Sequence, residues 1–308
     1  YANPVDTGVA DMVKKVEADK RIKLHLNSTI TKTSGAPGQF SVDISTESGS
    51  TATENVGAVI MASGFTPYDM NKLPHLGAGK SKDVVDQLGL EALMKAANGG
   101  PIKRPSDGKE VKSVVFIQCA GQRSDKEGEL PYCSGHCCNT SVKQAMYFKD
   151  QNPAIDTVVM YTDLRTPGNG EDFYRSAQKK GVIFTKGVAS EVVAGGELQV
   201  KFNDKILNED AVAKADLVVL ATGMVANSGV DIDQVKQDEP GQWQSSDVSV
   251  LNMTYRQGKD LPLLKHGFND SHFICFPYET RRTGIYTSGP VRRPMDMAQA
   301  IEDATGAT

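Results

Sequence analysis

Apolar residues recur at helical spacing near the start of the chain. Val9, Met12, Val13 and Val16 share one face of a helix predicted over Asp6–Asp19. The period then changes. Lys23–Ile30 alternates and predicts a strand, Ser34–Gly38 a turn, and Phe40–Ser45 a second strand. A polar run, Glu47–Asn55, leads into a short apolar strand, Ala58–Ala62, which ends in Ser63-Gly64. Phe65–Lys112 reads differently. Pro67, Pro74, Pro101 and Pro105 punctuate it and Gly99-Gly100 breaks it. It predicts a connecting segment on a domain surface, with one short helix over Leu90–Ala97.

From Val114 the pattern alternates between strands and helices. Apolar strands are predicted at Val114–Ile117, Thr157–Tyr161 and Val182–Thr185, with helices over Cys138–Lys149 and Glu171–Lys180 between them. That order argues for a doubly wound parallel sheet. A hairpin over Ser190–Phe202, turning at Gly195-Gly196, leads to a buried strand at Leu217–Ala221 that ends in Thr222-Gly223. Strands at Phe273–Phe276 and Gly284–Ser288 and a helix over Met295–Ala304 close the chain. The expected division is 1–112, 113–225 and 226–308, with the first and last parts forming one partial domain.

Length and charge narrow the classes. A chain of 308 residues has a prior of two domains. Lys and Arg total 34 against 38 Asp and Glu, a net charge of -4, which gives no general pull toward nucleic acid or an anionic membrane. No apolar run approaches the ~18 residues that span a bilayer, so no direct membrane insertion is expected. Tyr1 opens the sequence without a signal-peptide pattern after it, and is read as the mark of a fragment or trimmed product.

Four of the five cysteines lie within twenty positions: Cys119, Cys133, Cys137 and Cys138. Only Cys275 stands apart. Clustered thiols without a secretory signal point to a reducing, cytoplasmic compartment and a metal or redox role. Thiolates are soft ligands suited to iron–sulfur clusters and zinc, but the paired C-x-x-C knuckles of a zinc ribbon are missing. A dithiol active site built from Cys133 and Cys137 is the competing chemistry, and four buried free thiols the plain one. His136 lies inside the motif and is left beside the ligand set.

Two apolar strands share one ending. Val59–Gly64 and Val218–Gly223 both finish in Ala-Ser/Thr-Gly, which lets backbone approach a ligand at a sheet edge. Two such endings about 160 residues apart suggest tandem nucleotide-binding-type domains, the layout of flavin- and pyridine-nucleotide-dependent disulfide oxidoreductases. The G-x-G-x-x-G fingerprint is absent. The chain opens as if the strand-turn-helix of a flavin domain had been cut away. Gly79-Lys80-Ser81 is not a phosphate loop, because Pro74 stands where its first glycine belongs. Near the carboxyl end, Thr283–Gly289 runs into a helix starting near Met295-Asp296, whose free N–H groups would suit an electron-rich flavin edge.

These residues resemble a family. RPSDGK (Arg104–Lys109), VFIQCAGQR (Val115–Arg123) and YCSGHCC (Tyr132–Cys138) resemble the A-type subunit of heterodisulfide reductase, and so do FTPYD (Phe65–Asp69) and LPHLGAGK (Leu73–Lys80). The tail ICFPYETRRTGIY (Ile274–Tyr286) is similar to relatives in quinone-interacting membrane-bound oxidoreductase complexes. The resemblance covers Phe65 to the end. It implies an α/β, thioredoxin reductase-like two-domain FAD/NAD(P)-binding fold with the amino-terminal FAD strand-turn-helix missing. It also implies a [4Fe–4S] cluster on Cys119, Cys133, Cys137 and Cys138, and FAD beside Ser63, Gly64, Phe65, Gly289, Pro290, Met295, Asp296 and Met297. Lys143 matches a family lysine near the flavin's reactive edge. The implied activity is that of an oxidoreductase component passing electrons between FAD, the cluster and partner subunits, associated with a membrane only through those partners. Gly289-Pro290 departs from the thioredoxin reductase tail, where Gly-Asp holds the ribityl chain. An FAD- and NAD(P)H-dependent disulfide oxidoreductase and a non-catalytic scaffold remain the alternatives.

Overall fold

The computed structural model describes residues 8–168, 170–228, 262–271 and 274–308. In chain order, helix α1 (Val9–Ala18) is followed by strands β1 (Ser28–Ala36), β2 (Gln39–Thr46), β3 (Thr51–Val56), β4 (Val59–Met61), β5 (Phe65–Pro67) and β6 (Val84–Asp86). Then come α2 (Gln87–Ala97), β7 (Ser113–Ala120), α3 (Cys137–Gln151), β8 (Asp156–Tyr161) and α4 (Gly170–Lys179). Strands β9 (Ile183–Val193), β10 (Leu198–Asp204), β11 (Glu209–Ala215), β12 (Leu217–Thr222), β13 (Met224–Ala226) and β14 (Ile285–Thr287) precede the last helix, α5 (Met297–Ala307).

Contacts divide the chain into two units. One is built on Pro67–Met224; the other joins Thr7–Thr66 to Val225–Thr308. The first carries a seven-stranded sheet in the order β11-β10-β9-β8-β7-β12-β6. β9, β8, β7, β12 and β6 are parallel neighbours, whereas β10 and β11 extend the sheet antiparallel. Every residue of β12 is buried, as a parallel strand covered on both faces requires. Val114 and Phe116 of β7 pack with Val142, Ala145, Met146 and Phe148 of α3. Phe116 meets Phe148 edge-on, ring centroids 6.3 Å apart.

The segment expected to be a surface connector is part of this unit. β6 pairs with β12 at the sheet edge, and Leu73, Leu90, Met94 and Ile102 are at most 2% exposed. Its prolines punctuate turns around one edge strand and one helix, so the composition looks like linker while the apolar residues between serve the core. An ion pair fixes that edge. Buried Asp83 accepts from Arg104 Nη2 at 2.7 Å and from Ser106 Oγ at 2.6 Å and N at 2.9 Å.

The second unit holds an antiparallel sheet in the order β1-β2-β3 and a parallel pair, β4 with β14. The strand expected at Lys23–Ile30 begins only at Ser28, opposite Thr46, because β2 ends there and earlier residues have no ladder to join. The polar run before the apolar strand is itself half strand. β3 alternates exposed Thr51, Thr53 and Asn55 with half-buried Ala52, Glu54 and Val56, a polar-out pattern that masks a strand in composition. The amphipathic helix forms as expected, but α1 buries none of its residues. The strand predicted at Phe273–Phe276 starts at a residue outside those described, and Ile274 and Cys275 lie in a turn. Among the described residues no helix is long and apolar enough to cross a membrane.

Candidate functional site

In the first unit, β7 is the strand from which the chain goes to β8 and β9 on one side and to β12 on the other. That reversal puts a crevice at the carboxyl ends of β7 and β12, where doubly wound sheets place ligands. All four clustered cysteines come to this place. Cys119 lies at the end of β7, Cys133 in the loop that follows, and Cys137 and Cys138 at the start of α3. α3 occupies the position of the helix that binds phosphate in dinucleotide folds. Its N-cap residue, His136, supplies no side-chain cap, so the positive end of the helix is left facing the thiols.

β7 carries one extra residue relative to β12 here. Ile117 pairs with Leu220 and Ala120 with Thr222, so three steps on one strand match two on the other. Cys119 sits in that bulge at φ 57, a left-handed conformation that costs a non-glycine residue about 1–2 kcal/mol. Bulges re-aim side chains beside functional sites. Next but one comes Gly121, at φ 70, where a Cβ would meet the Tyr68 ring at Cε1 and stand 2.7 Å from Cδ1.

An N–H group faces every one of the four sulfurs. Gln122 Nε2 donates to Cys137 Sγ at 3.2 Å, Gly135 N to Cys133 Sγ at 3.4 Å, and Arg123 Nη1 approaches Cys119 Sγ at 3.8 Å. The backbone N–H of Arg165 lies near enough to Cys138 to favour its thiolate. Arg123 is held in turn by Asp163 at 2.7 Å. Burial first, and then the neighbouring Cys138, push the Cys137 thiol up to about 12. Burial likewise raises Cys119 and Cys138, against the lowering effect of these donors. Cys119 and Cys133 both contribute to the upward shifts of Cys137 and Cys138, so the four thiols lie within one another's electrostatic reach. Among the described residues no three His, Cys, Asp or Glu side chains gather closely enough to hold a single metal ion. Four thiols around one crevice are a soft donor set, and N–H donors aimed at sulfur stabilise negative charge on it. His136 Nδ1 lies 3.2 Å from Ser134 O.

Sequence reasoning missed these donors. Gln122 is 2% exposed, and neither its burial nor the bulge before it is visible in the residue pattern. Gly223, singled out as a strand-end glycine, has a packing role. A Cβ there would stand 2.7 Å from Leu130 Cδ1 and 3.2 Å from Gln122 Oε1. A cavity of about 310 Å³ adjoins Cys119, bordered by His75, Ile117, Met160 and Ala189.

Lys143 stands apart from the thiols. It follows Cys138 by five residues, about 140° around a helix, and its Nζ pairs with Glu91 of α2 at 2.8 Å and lies 5.5 Å from the Tyr147 ring centroid.

In the second unit, β4 and β14 run parallel with Met61 opposite Thr287. Their carboxyl ends therefore deliver Ser63-Gly64 and Ser288-Gly289 side by side. A Cβ at either Gly64 or Gly289 would meet nothing within 4 Å, so both backbones border open space a ligand can approach. Ser63 is tied down by Asn227, whose Nδ2 donates to Ser63 O at 3.0 Å. Gly289 N donates to buried Asp303 at 2.8 Å, and Pro290 continues the short turn Gly289–Val291. Phe65 opens β5, which pairs with β13. Met295 is buried and Met297 exposed. The start of α5 is not bare: Asp296 caps it and accepts from Gln299 N at 2.8 Å in a capping box. A ligand there meets a carboxylate beside the helix end.

The chain is similar to A-type subunits of heterodisulfide reductases. The chain is 32% identical over 259 residues to that of the H(2):CoB-CoM heterodisulfide,ferredoxin reductase of Methanothermobacter marburgensis, a match covering 82% of this chain and 36% of that protein. It is 36% identical over 250 residues to that of the Ferredoxin/F(420)H(2)-dependent CoB-CoM heterodisulfide reductase of Methanosarcina acetivorans, covering 80% and 29%. The third, the first of two A-type iron-sulfur subunits of the CoB--CoM heterodisulfide reductase of Methanopyrus kandleri, is 33% identical over 262 residues, covering 82% and 36%. The chain thus spans about a third of the length of the curated relatives it matches. No protein-family model matches it. The fold is similar to thioredoxin reductase of T. acidophilum, with a TM-score of 0.55, 15% identity and coverage of 99% of this chain and 79% of that one. It is also similar to the bacillithiol disulfide reductase Bdr of Bacillus cereus, with a TM-score of 0.51, 14% identity and coverage of 94% and 70%. The chain is a relative of the A-type heterodisulfide reductase subunits and has a thioredoxin reductase-like FAD/NAD(P)-binding fold.

Proposed function

We propose that this chain is a flavin- and iron–sulfur-dependent electron-transfer piece of a heterodisulfide reductase-type oxidoreductase. The observation that carries the reading is the set of four cysteine sulfurs at the switch point of the sheet, each met by an N–H donor. Cys119, Cys133, Cys137 and Cys138 would hold a [4Fe–4S] cluster, and Ser63-Gly64 with Gly289-Pro290 would border FAD. Such groups would supply a two-electron flavin and a one-electron carrier, the chemistry by which a pair of electrons is split.

The chain's own residues have definite tasks. The bulge at Cys119 turns one thiol toward the loop, and α3 presents two more at its positive end. Arg123 and the backbone N–H groups of Gly135 and Arg165 offset negative charge on sulfur. Tyr68 ties down the cysteine loop, its hydroxyl donating to Gly128 O at 2.7 Å. Partners are other subunits of the complex, by analogy with the relatives' names. The rival dithiol reading pairs Cys133 with Cys137, and Cys137 is buried away from a disulfide substrate.

The test is anaerobic preparation of the chain beside Cys137→Ser, measuring iron, sulfide and FAD per polypeptide. About four iron and four sulfide per chain, diminished in the variant, is the expected result. No iron after reconstitution would remove the cluster reading, and no FAD would remove the flavin one.

A further inference from the structure

Gln122 is the best-fixed polar side chain near the sulfurs. It is 2% exposed, and both ends of its amide have partners. Nε2 donates to Ala221 O at 3.1 Å and to Cys137 Sγ at 3.2 Å, while Oε1 accepts from Ser134 N at 3.1 Å. The amide cannot be flipped. Ala221 offers only a carbonyl and Ser134 only an N–H, so the donor end must face Ala221 and Cys137. Ser134 is itself fixed, its hydroxyl accepting from Met224 N at 2.7 Å. The missing side chain of Gly223 leaves room for both Gln122 and Ser134. The loop, the end of β12 and the start of α3 are thus joined through one amide.

We infer that Gln122 is a positioning residue that sets the one-electron potential at the cysteine site by holding an N–H on the sulfur of Cys137. The inference rests on the cluster reading. One electron enters, no bond is made or broken at Gln122, and no proton moves there. The added negative charge spreads onto the cysteine sulfurs. A fixed N–H dipole stabilises that charge more in the reduced state than in the oxidised one. The amide therefore raises the potential, and losing it favours the oxidised form.

The experiment uses the reconstituted chain in three forms: unsubstituted, Gln122→Leu and Gln122→Glu. Gln122→Leu keeps the bulk and removes the donor. Gln122→Glu keeps an acceptor for Ser134 N–H and turns an oxygen toward Cys137. Gln144→Leu is the control, since Gln144 is buried on the cysteine-bearing helix α3 but donates to Gln87 O and Glu91. The cluster is titrated by electron paramagnetic resonance at fixed solution potentials, with iron content and circular dichroism measured on each sample.

At the unsubstituted protein's midpoint, the reduced-to-oxidised ratio is expected to fall about tenfold in Gln122→Leu, about 59 mV for a one-electron couple. It falls further in Gln122→Glu and stays unchanged in Gln144→Leu. A change under about twofold in both Gln122 variants overturns the inference, with the cluster reading intact. So does an equal shift in Gln144→Leu. Folded Gln122 variants that lose all iron also refute it, because the residue would then serve assembly and not tuning. A spectrum without a cluster in the unsubstituted protein instead overturns the cluster reading, and this inference with it.

Discussion

Replacing Gly121 by alanine should destabilise the cysteine-bearing unit severely. Gly121 has φ 70, a conformation that costs an alanine about 1–2 kcal/mol. The added methyl meets the Tyr68 ring, standing 2.7 Å from Cδ1 and in contact with Cε1. Tyr68 cannot step aside. It is 4% exposed, its hydroxyl donates to Gly128 O at 2.7 Å, and its N–H donates to Gly223 O at 2.8 Å. Overpacking of this kind costs about 1–3 kcal/mol, so the two effects together cost about 2–5 kcal/mol. Urea unfolding followed by circular dichroism measures the loss. A double-mutant cycle with Tyr68→Ala separates the parts, because removing the ring should recover the steric share and leave the backbone share. A loss below about 1 kcal/mol, or no coupling between the two sites, would refute the reasoning.

Asp83→Asn should cost about 3 kcal/mol at pH 7, since it leaves Arg104 buried with a weakened partner set. Hydrogen bonds from Ser106 and Arg104 outweigh the raising effect of burial and hold the Asp83 carboxyl below its usual 3.8. Its contribution is therefore present above pH 3.8 and is lost as pH falls through the lower folded value; urea titrations at descending pH should show the two proteins converging. Lys143→Met should cost less than about 1 kcal/mol, because its pair with Glu91 is a third exposed on the lysine side. Burial lowers the Lys143 ammonium but the Glu91 and Tyr147 contacts more than offset it, raising it above 10.5. Its contribution should therefore hold below pH 10.5 and vanish as pH rises through the higher folded value, which melting curves in alkaline buffers can follow. Gly223→Ala should loosen the cysteine loop through Leu130 and Gln122, and faster maleimide labelling of Cys137 than in the parent protein would report it.

Much of this is legible in the residues. The apolar runs at Val114, Thr157 and Leu217 lie within three neighbouring parallel strands, and the alternation of strand and helix predicts the winding between them. The cysteine spacing identifies the site, because four thiols within twenty positions have few structural uses outside chemistry. Phe65–Lys112 reads as a connector because its prolines are visible one by one, whereas the edge pairing of β6 depends on β12, more than a hundred residues away. β3 escapes the pattern because its outward threonines and asparagine look like loop. The donors facing the sulfurs cannot be read at all. Arg165 lies 27 positions beyond Cys138, and only the return of β8 brings its N–H to that thiol. Lys143 shares a helix with two cysteines, but helical rotation sends it to Glu91.

The claim that four particular cysteines hold one cluster can be tested without any substitution. The native chain, with and without reconstituted iron, is treated briefly with maleimide under anaerobic conditions, and each cysteine is quantified by peptide mass spectrometry. Cys275 is exposed, Cys119 and Cys133 are half-buried, and Cys137 and Cys138 are buried. Cys275 should label equally in both samples. Cys119 and Cys133 label in the iron-free chain and become protected with iron, while Cys137 and Cys138 label only when the iron-free chain is unfolded. Equal labelling of Cys119 and Cys133 with and without bound iron, or protection of Cys275, would contradict a shared cluster.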